Sequence, residues 1–120
     1  MENLDLHINF TPSSPNSFVI KNPIMIASGT FGYDGYGRGI TDDMPLEDLG
    51  AIIPKTVTRH PRTGNPEPRW YPTSFREARE SGDCVYLNSI GLANPGIEYA
   101  LEVLAPEWHS WSADVILSMS

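Results

Sequence analysis

The chain has 120 residues, enough for a single domain with one modest core. Fifteen acidic residues outnumber eight basic ones, and the net charge of -7 argues against a nucleic-acid surface. One cysteine excludes an internal disulfide, and Cys-based metal patterns are absent. No apolar run approaches the roughly 20 residues that a membrane span needs. Since the N-terminus has no signal-peptide pattern, the sequence predicts a soluble protein of a reducing compartment, the cytoplasm.

Short β-prone runs dominate the predicted elements. Residues 5–10 and 17–21 flank a turn rich in proline, serine and asparagine, which predicts an N-terminal hairpin. Three later runs, residues 24–27, 51–53 and 115–117, are continuously apolar rather than alternating. Such runs are typical of strands that are buried on both faces of a parallel sheet.

Helices are predicted to connect these strands. A short helix can form around residues 45–49, and a better-marked helix follows Asn94, which can cap it, with Pro95 at its first position. One apolar stripe at helical spacing is formed by Ile97, Ala100, Leu101 and Leu104. Pro106 should end this helix within about three turns. The alternation of strands and helices predicts an α/β fold with right-handed crossovers.

Two loops differ in composition from the rest of the chain. Residues 29–39 hold five glycines but match no phosphate-binding fingerprint, so turns or mobility are the favoured interpretation. Residues 55–69 carry half of all basic residues: Lys55, Arg59, Arg62 and Arg69. This local excess could attract an anion, although a solvated basic loop is the default interpretation.

Polar residues follow the three predicted parallel strands. Ligands of parallel α/β sheets bind at the carboxyl ends of the strands, because the loops converge there. Ser28 offers a hydroxyl beside Gly29 after the first strand, Lys55 offers a charge after the second, and Ser118 follows the third. Asn88 offers both a donor and an acceptor, and the set suits a flat heterocycle rich in carbonyl and N–H groups. The three histidines are scattered, which argues against a nucleophilic triad.

The chain resembles the class 1 dihydroorotate dehydrogenases, flavin enzymes of pyrimidine synthesis, in four ordered strings: "NPIMIASGTFG", "GAIIPKTVT", "RTGNPEPR" and "LNSIGLANPG". The resemblance runs from about residue 18 to the end, and related dihydropyrimidine dehydrogenases match the last two strings less well. It implies a (β/α)8 barrel that binds FMN at its C-terminal face, oxidises dihydroorotate to orotate and passes the hydride to the flavin.

The resemblance assigns roles only to matching positions. It implies FMN contacts from Ala27, Ser28, Gly29, Lys55, Thr56 and Ser118. It implies a substrate loop formed by Asn88, Ser89, Ile90, Gly91 and Leu92. Asn88 would hydrogen-bond the pyrimidine ring, and Lys55 would touch both flavin and substrate. A lysine beside the reducible ring stabilises negative charge where it develops.

Two features depart from the family pattern. Pro54 precedes Lys55 and removes a ladder hydrogen bond, which predicts an irregular strand end. Residues 73–83 look longer than the usual connection. Cys84 is not the family's catalytic cysteine, which lies on a later loop, and is expected to be a small, buried or half-buried apolar residue. The catalytic base is therefore expected downstream, and none is assigned in this chain.

The length predicts a part of such an enzyme, because a (β/α)8 barrel takes about 250 residues. Residues 1–120 are interpreted as one incomplete domain, with the hairpin in residues 1–22 and the first barrel strands and helices in residues 23–120. The chain alone is expected neither to bind FMN tightly nor to turn over dihydroorotate, since the base and the phosphate loops are missing. One alternative is a non-catalytic fragment or interaction module, which a stop codon after Ser120 would favour. The other alternative is a related flavin-dependent dihydropyrimidine dehydrogenase.

The resemblance leaves open the electron acceptor and the oligomeric state. Electrons could pass to fumarate, to NAD through a partner subunit carrying FAD and an iron–sulfur cluster, or to another acceptor, and a homodimer is possible. The lack of an N-terminal membrane extension argues against the quinone-linked class.

Overall fold

Short strands and helices alternate in the computed structural model, which describes residues 4–35, 43–82 and 86–120. The elements are β1 (Ile8–Asn9), β2 (Val19–Ile20), β3 (Met25–Ile26), a 3₁₀ turn (Leu46–Asp48), β4 (Ala51–Ile52), β5 (Trp70–Tyr71), α1 (Phe75–Ser81), β6 (Leu87–Asn88), α2 (Ile97–Tyr99), a π-helical turn (Ala100–Leu104), α3 (Ala105–Trp108) and β7 (Asp114–Val115). Strands β1 and β2 form the predicted antiparallel hairpin. The fold is therefore a mixed α/β structure, as predicted.

Three strands form a parallel sheet in the order β3, β4, β7. Met25 pairs with Ala51, and Ala51 pairs with Asp114, so the three predicted apolar runs do lie side by side. The 3₁₀ turn lies between β3 and β4, where the short helix was expected. Because the strands are parallel, their carboxyl ends meet at one edge of the sheet.

Only the middle strand is buried on both faces. Ala51 and Ile52 are fully buried, whereas Met25 is 39% exposed and Asp114 is also exposed. The prediction of complete burial is wrong for the outer strands, because β3 and β7 are sheet edges with no described strand beyond them.

Two apolar clusters pack around the sheet and share contacts with the indole of Trp111. The first cluster is built on Phe31, Leu46, Ile52 and Ala113. The second cluster is built on Val57, Ala100 and Trp108. The rings of Phe31 and Trp111 meet edge to face with centroids 5.5 Å apart. The indole N–H of Trp108 donates to the backbone carbonyl of Tyr33 over 2.8 Å, which connects the last helix to the loop after β3.

One helical segment covers residues 97–108, and the prediction that Pro106 ends it is wrong. In the π-helical turn the N–H of Ala105 donates to the carbonyl of Ala100, five residues back. Pro106 therefore follows a point where the α-helical hydrogen bonding is already interrupted, at the start of α3. Leu101 is 59% exposed, so the predicted apolar stripe is not buried along its whole length.

The start of this segment also differs from the prediction. Gly96, with a φ of 85°, precedes α2, and the first helical residue is Ile97 rather than Pro95. Asn94 caps no helical N–H group. Its side-chain oxygen accepts instead from the N–H groups of Gly96 and Thr58, each over 3.0 Å, so Asn94 ties this loop to the chain that follows β4.

A second pair of strands, β5 and β6, is not predicted from the sequence, and α1 lies between them. The helix starts with a side-chain cap, because the Ser74 hydroxyl accepts from the N–H of Glu77 over 3.1 Å. The Glu77 carboxylate accepts in turn from the hydroxyl and the N–H of Thr73, and these bonds lower the pKa of Glu77. Gly82 ends the helix with a φ of 68°. The Ser-x-x-Glu spacing and the glycine are the signals that could have revealed α1.

Two predictions fall outside the described residues. Cys84 and residues 36–39 of the glycine-rich loop are not described, so the expectations for them stay predictions. In the described half of that loop, Gly29, Gly32 and Gly35 all have positive φ angles, as glycines in turns do.

Candidate functional site

Three hydroxyl groups meet at the carboxyl edge of the parallel sheet, one after each strand. The Ser28 hydroxyl oxygen lies 2.7 Å from that of Thr56, and the Thr56 oxygen lies 2.8 Å from that of Ser118. We call these residues the hydroxyl row. The sequence places them at separate strand exits, and the fold joins them into one hydrogen-bonded chain.

Pro54 interrupts the middle strand in the way its missing N–H predicts. β4 ends before the proline, and pairing resumes at Val57, whose N–H donates to the carbonyl of Ser118 over 3.0 Å. Between these two points, the N–H of Lys55 donates to the carbonyl of Gly32 over 2.8 Å. This bond fixes the backbone of Lys55 against the loop after β3.

The side chain of Lys55 passes beside Gly29. A Cβ atom built at Gly29 would lie 3.9 Å from the Cδ of Lys55, and the φ of 87° at Gly29 favours glycine. Lys55 is half-buried, and no carboxylate of the described residues forms an ion pair with its ammonium group. Ala27 and Ser28 are exposed next to it. The strand ends therefore combine one cation, three hydroxyls and open backbone.

Residues 88–92, which we call the 88–92 loop, form a separate part of the site. Asn88 pairs with Trp70 at the end of β6 and is exposed. In the described residues, no hydrogen bond joins the Asn88 side chain to Lys55 or to the hydroxyl row. Beyond it, Gly91 and Leu92 have φ angles of 75° and 55°. A leucine rarely adopts a positive φ, so the surrounding contacts must hold this backbone.

Those contacts come from the segment "RTGNPEPR". Arg62 and Asn94 exchange two backbone hydrogen bonds of 2.9 Å, and the N–H of Asn65 donates to the carbonyl of Ile90 over 3.0 Å. A Cβ atom added at Gly91 would lie only 2.6 Å from the backbone nitrogen of Asn65. The two loops are therefore packed backbone against backbone.

Of the four basic residues in the loop of residues 55–69, one arginine has a structural role and the other three do not share it. The Arg69 guanidinium donates to the carbonyls of Asn65 and Thr63, over 2.6 and 3.0 Å, and lies 3.2 Å from the Glu67 carboxylate. It is therefore engaged in holding its own loop. The predicted attraction of an anion is left to the half-buried Lys55 and the exposed Arg59 and Arg62.

Titratable groups elsewhere in the described residues supply no catalytic pair. His7 lies 2.7 Å from the Asp5 carboxylate at the surface, and this hydrogen bond lowers the pKa of Asp5. Burial raises the pKa of Tyr33.

No three His, Cys, Asp or Glu side chains of the described ranges are grouped to hold a metal ion. Likewise, none of the described helices is long and apolar enough to cross a membrane.

Replacing Gly91 with alanine should lower the free energy of unfolding by about 2–3 kcal/mol, from left-handed backbone strain plus the clash with Asn65. Gly82→Ala is the matched control, because Gly82 has a φ of 68° but no described atom within 4 Å of an added Cβ. The control should cost only about 1 kcal/mol, the strain alone. Urea unfolding of both variants measures the difference, and equal losses would contradict the packing of the two loops.

The comparison with known proteins agrees with this architecture. The family model of dihydroorotate dehydrogenase matches residues 16–120. The catalytic subunit of dihydroorotate dehydrogenase B (NAD(+)) from Carboxydothermus hydrogenoformans is 42% identical over 84% of this chain and 29% of its own length. The same subunit from Endomicrobium trichonymphae is 38% identical over 97% of this chain and 32% of its own length. The chain thus spans about a third of the length of these relatives, and it belongs to the dihydroorotate dehydrogenase family.

Proposed function

We propose that this chain supplies part of the active site of an FMN-dependent dihydroorotate dehydrogenase, which oxidises dihydroorotate to orotate in pyrimidine biosynthesis. The observation that carries the proposal is the hydroxyl row beside Lys55 at the carboxyl edge of the parallel sheet. Membership of the family supports the same reaction.

We propose further that the chain is the N-terminal part of a (β/α)8 barrel, with residues 1–22 as an appended hairpin. Its relatives are about three times as long, and no described strand covers the outer edge of β7. Beside that edge lies an open hollow of about 420 Å³, whose lining includes Leu101, Trp111 and Leu117. The lining also includes His109 and Asp114, but its larger, apolar part next to an uncovered strand is suited to the packing of a further strand and helix.

The residues at the strand ends fit a flat, polar ring such as that of FMN. Three hydroxyls joined by two hydrogen bonds use two of their three O–H groups, so one O–H is left to donate to a ligand. The exposed Ala27 and the positive φ of Gly29 let a ring approach the backbone closely. Ala27, Ser28, Gly29, Thr56 and Ser118 would hold the cofactor together with Lys55.

FMN, when bound, supplies the hydride acceptor. The protein's own residues then orient the reactants and stabilise charge. Lys55 would hold a positive charge where the negative charge of the substrate carboxylate and of the transition state lies. Asn88 would both donate to and accept from the pyrimidine ring, and the 88–92 loop would cover the substrate. The base that removes a proton from dihydroorotate is assigned to the chain beyond residue 120.

The electron acceptor is proposed from the relatives. Their names specify NAD(+) and a catalytic subunit, which supports NAD(+) as the final acceptor and a second protein chain as partner. In this proposal the partner carries FAD and an iron–sulfur cluster, and the catalytic subunit forms a homodimer. Fumarate is the alternative acceptor.

Anaerobic titration of the purified full-length protein tests the function. We expect the protein to contain FMN, and we expect dihydroorotate to bleach the flavin absorption near its visible maximum. If dihydroorotate leaves the bound flavin oxidised and a different dihydropyrimidine bleaches it, the result would favour the related dihydropyrimidine dehydrogenases. A protein without flavin would favour the non-catalytic interaction module.

A further inference from the structure

We infer that Asn65 is a positioning residue for the 88–92 loop, setting the affinity for the substrate without touching it. The inference rests on the proposed function, because it takes this loop as the substrate loop. Asn65 lies 23 positions before Asn88 in the sequence, within the "RTGNPEPR" segment.

The side-chain amide of Asn65 is directed at a single residue of the loop. Its nitrogen donates to the carbonyl oxygen of Ser89 over 3.1 Å and to the hydroxyl oxygen of Ser89 over 2.8 Å. A backbone carbonyl only accepts hydrogen bonds, so the nitrogen rather than the oxygen of the amide must face Ser89. One side chain thus fixes both the backbone and the rotamer of the residue after Asn88.

The backbone of Asn65 holds the next two residues. Its N–H donates to the carbonyl of Ile90 over 3.0 Å. At Gly91 the backbones are so close that an added Cβ would lie 2.6 Å from the Asn65 nitrogen and 2.6 Å from its side-chain oxygen. Asn65 therefore contacts Ser89, Ile90 and Gly91, while the N–H of Ser89 also donates to the backbone carbonyl of Arg69 over 2.8 Å.

Asn65 is itself held by Arg69. The Arg69 guanidinium donates to the Asn65 carbonyl over 2.6 Å and to the Thr63 carbonyl over 3.0 Å. Such a support matters because the loop contains Leu92 at a φ of 55°, a conformation that persists only where contacts enforce it. Without the amide of Asn65, the loop should populate other conformations, and binding of a ligand that needs one of them is weakened.

Orotate binding to the oxidised full-length protein, followed by the change in flavin absorption, measures the effect. We expect Asn65→Ala to raise the Kd for orotate and the KM for dihydroorotate by about 10- to 100-fold, with a smaller fall in kcat. FMN content and Tm should stay close to those of the parent protein. Asn65→Asp keeps the shape but turns the donor into an acceptor facing the Ser89 carbonyl, and it should weaken orotate binding as strongly.

Asn16→Ala is the matched control, because Asn16 is exposed on the N-terminal hairpin, and it should bind orotate as the parent does. Unchanged orotate affinity in both Asn65 variants would overturn the inference. A loss of orotate binding that merely follows loss of FMN and of Tm would overturn it too, since that outcome indicates a structural role. If the parent protein itself contains flavin but neither binds orotate nor reacts with dihydroorotate, the proposed function fails first, and the role of Asn65 fails with it.

Discussion

Replacing Lys55 with alanine in the full-length protein should slow flavin reduction by dihydroorotate by roughly 10²- to 10³-fold, which corresponds to about 3 kcal/mol. The ammonium group has no carboxylate partner among the described residues, so its charge is available to a ligand at the strand ends. The fold should be retained, because Lys55 belongs to neither apolar cluster and its backbone bond to Gly32 does not depend on the side chain. Stopped-flow absorption at saturating dihydroorotate measures the rate.

Lys21→Ala provides the matched control for this experiment. Lys21 is an exposed lysine whose ammonium group donates to the Glu47 carbonyl, and its removal should leave the rate of flavin reduction unchanged. Arg59→Ala and Arg62→Ala should be milder than Lys55→Ala and should weaken substrate attraction in a salt-dependent way. If Lys55→Ala retains its FMN and reacts at nearly the parent rate, Lys55 is an ordinary surface lysine.

Asn94→Ala is expected to lower the free energy of unfolding by about 3–5 kcal/mol, because several buried polar groups would lose their partner together. Besides accepting from Thr58 and Gly96, the Asn94 amide donates to the carbonyl of Leu92 over 2.7 Å and to the Thr58 hydroxyl over 3.0 Å. Asn94 is only 8% exposed, so water cannot readily replace these bonds. Urea unfolding of the full-length protein measures the loss.

Asn22→Ala is the comparison variant, because Asn22 makes fewer hydrogen bonds and water can reach them more easily. Asn22 is half-buried, donates to the Asp48 carbonyl over 2.9 Å and accepts from the N–H of Ile24 over 2.9 Å. Its removal should cost about 1 kcal/mol. Equal losses for the two variants would mean that the Asn94 network contributes no more than an ordinary surface turn.

The sheet and the strand-end residues are predictable because they depend on local patterns. Continuous apolar runs identify β3 and β4, and parallel strands necessarily bring their carboxyl ends together, so Ser28, Lys55 and Ser118 could be placed at one edge. The interrupted strand at Pro54 follows equally from the missing N–H of proline. What the structure adds is the pair of hydrogen bonds by which Thr56 bridges Ser28 and Ser118.

The contacts of the 88–92 loop depend on residues that are distant in the sequence. Asn94 before a proline and an apolar stripe has the local pattern of a helix cap, but its partner Thr58 lies 36 positions earlier. The N–H of Thr58 competes with the helical N–H groups for the Asn94 side-chain oxygen and outweighs them, and no local pattern reveals it. The same holds for Asn65 and Ser89, which are 24 positions apart. The sequence points to Asn94 and Ser89 as candidates, but it does not reveal their partners Thr58 and Asn65.

The π-helical turn determines which side of the helix faces the interior. In an uninterrupted α-helix two turns take about 7.2 residues, so residues eight apart point in directions that differ by roughly 80°. A single π turn holds about one residue more, which brings the two-turn separation to about 8.2 residues and aligns Ala100 with Trp108. Both are buried in the cluster around Val57. The one extra residue therefore sets the rotational phase of the helix, and through it the Trp108 indole reaches the Tyr33 carbonyl in the loop after β3.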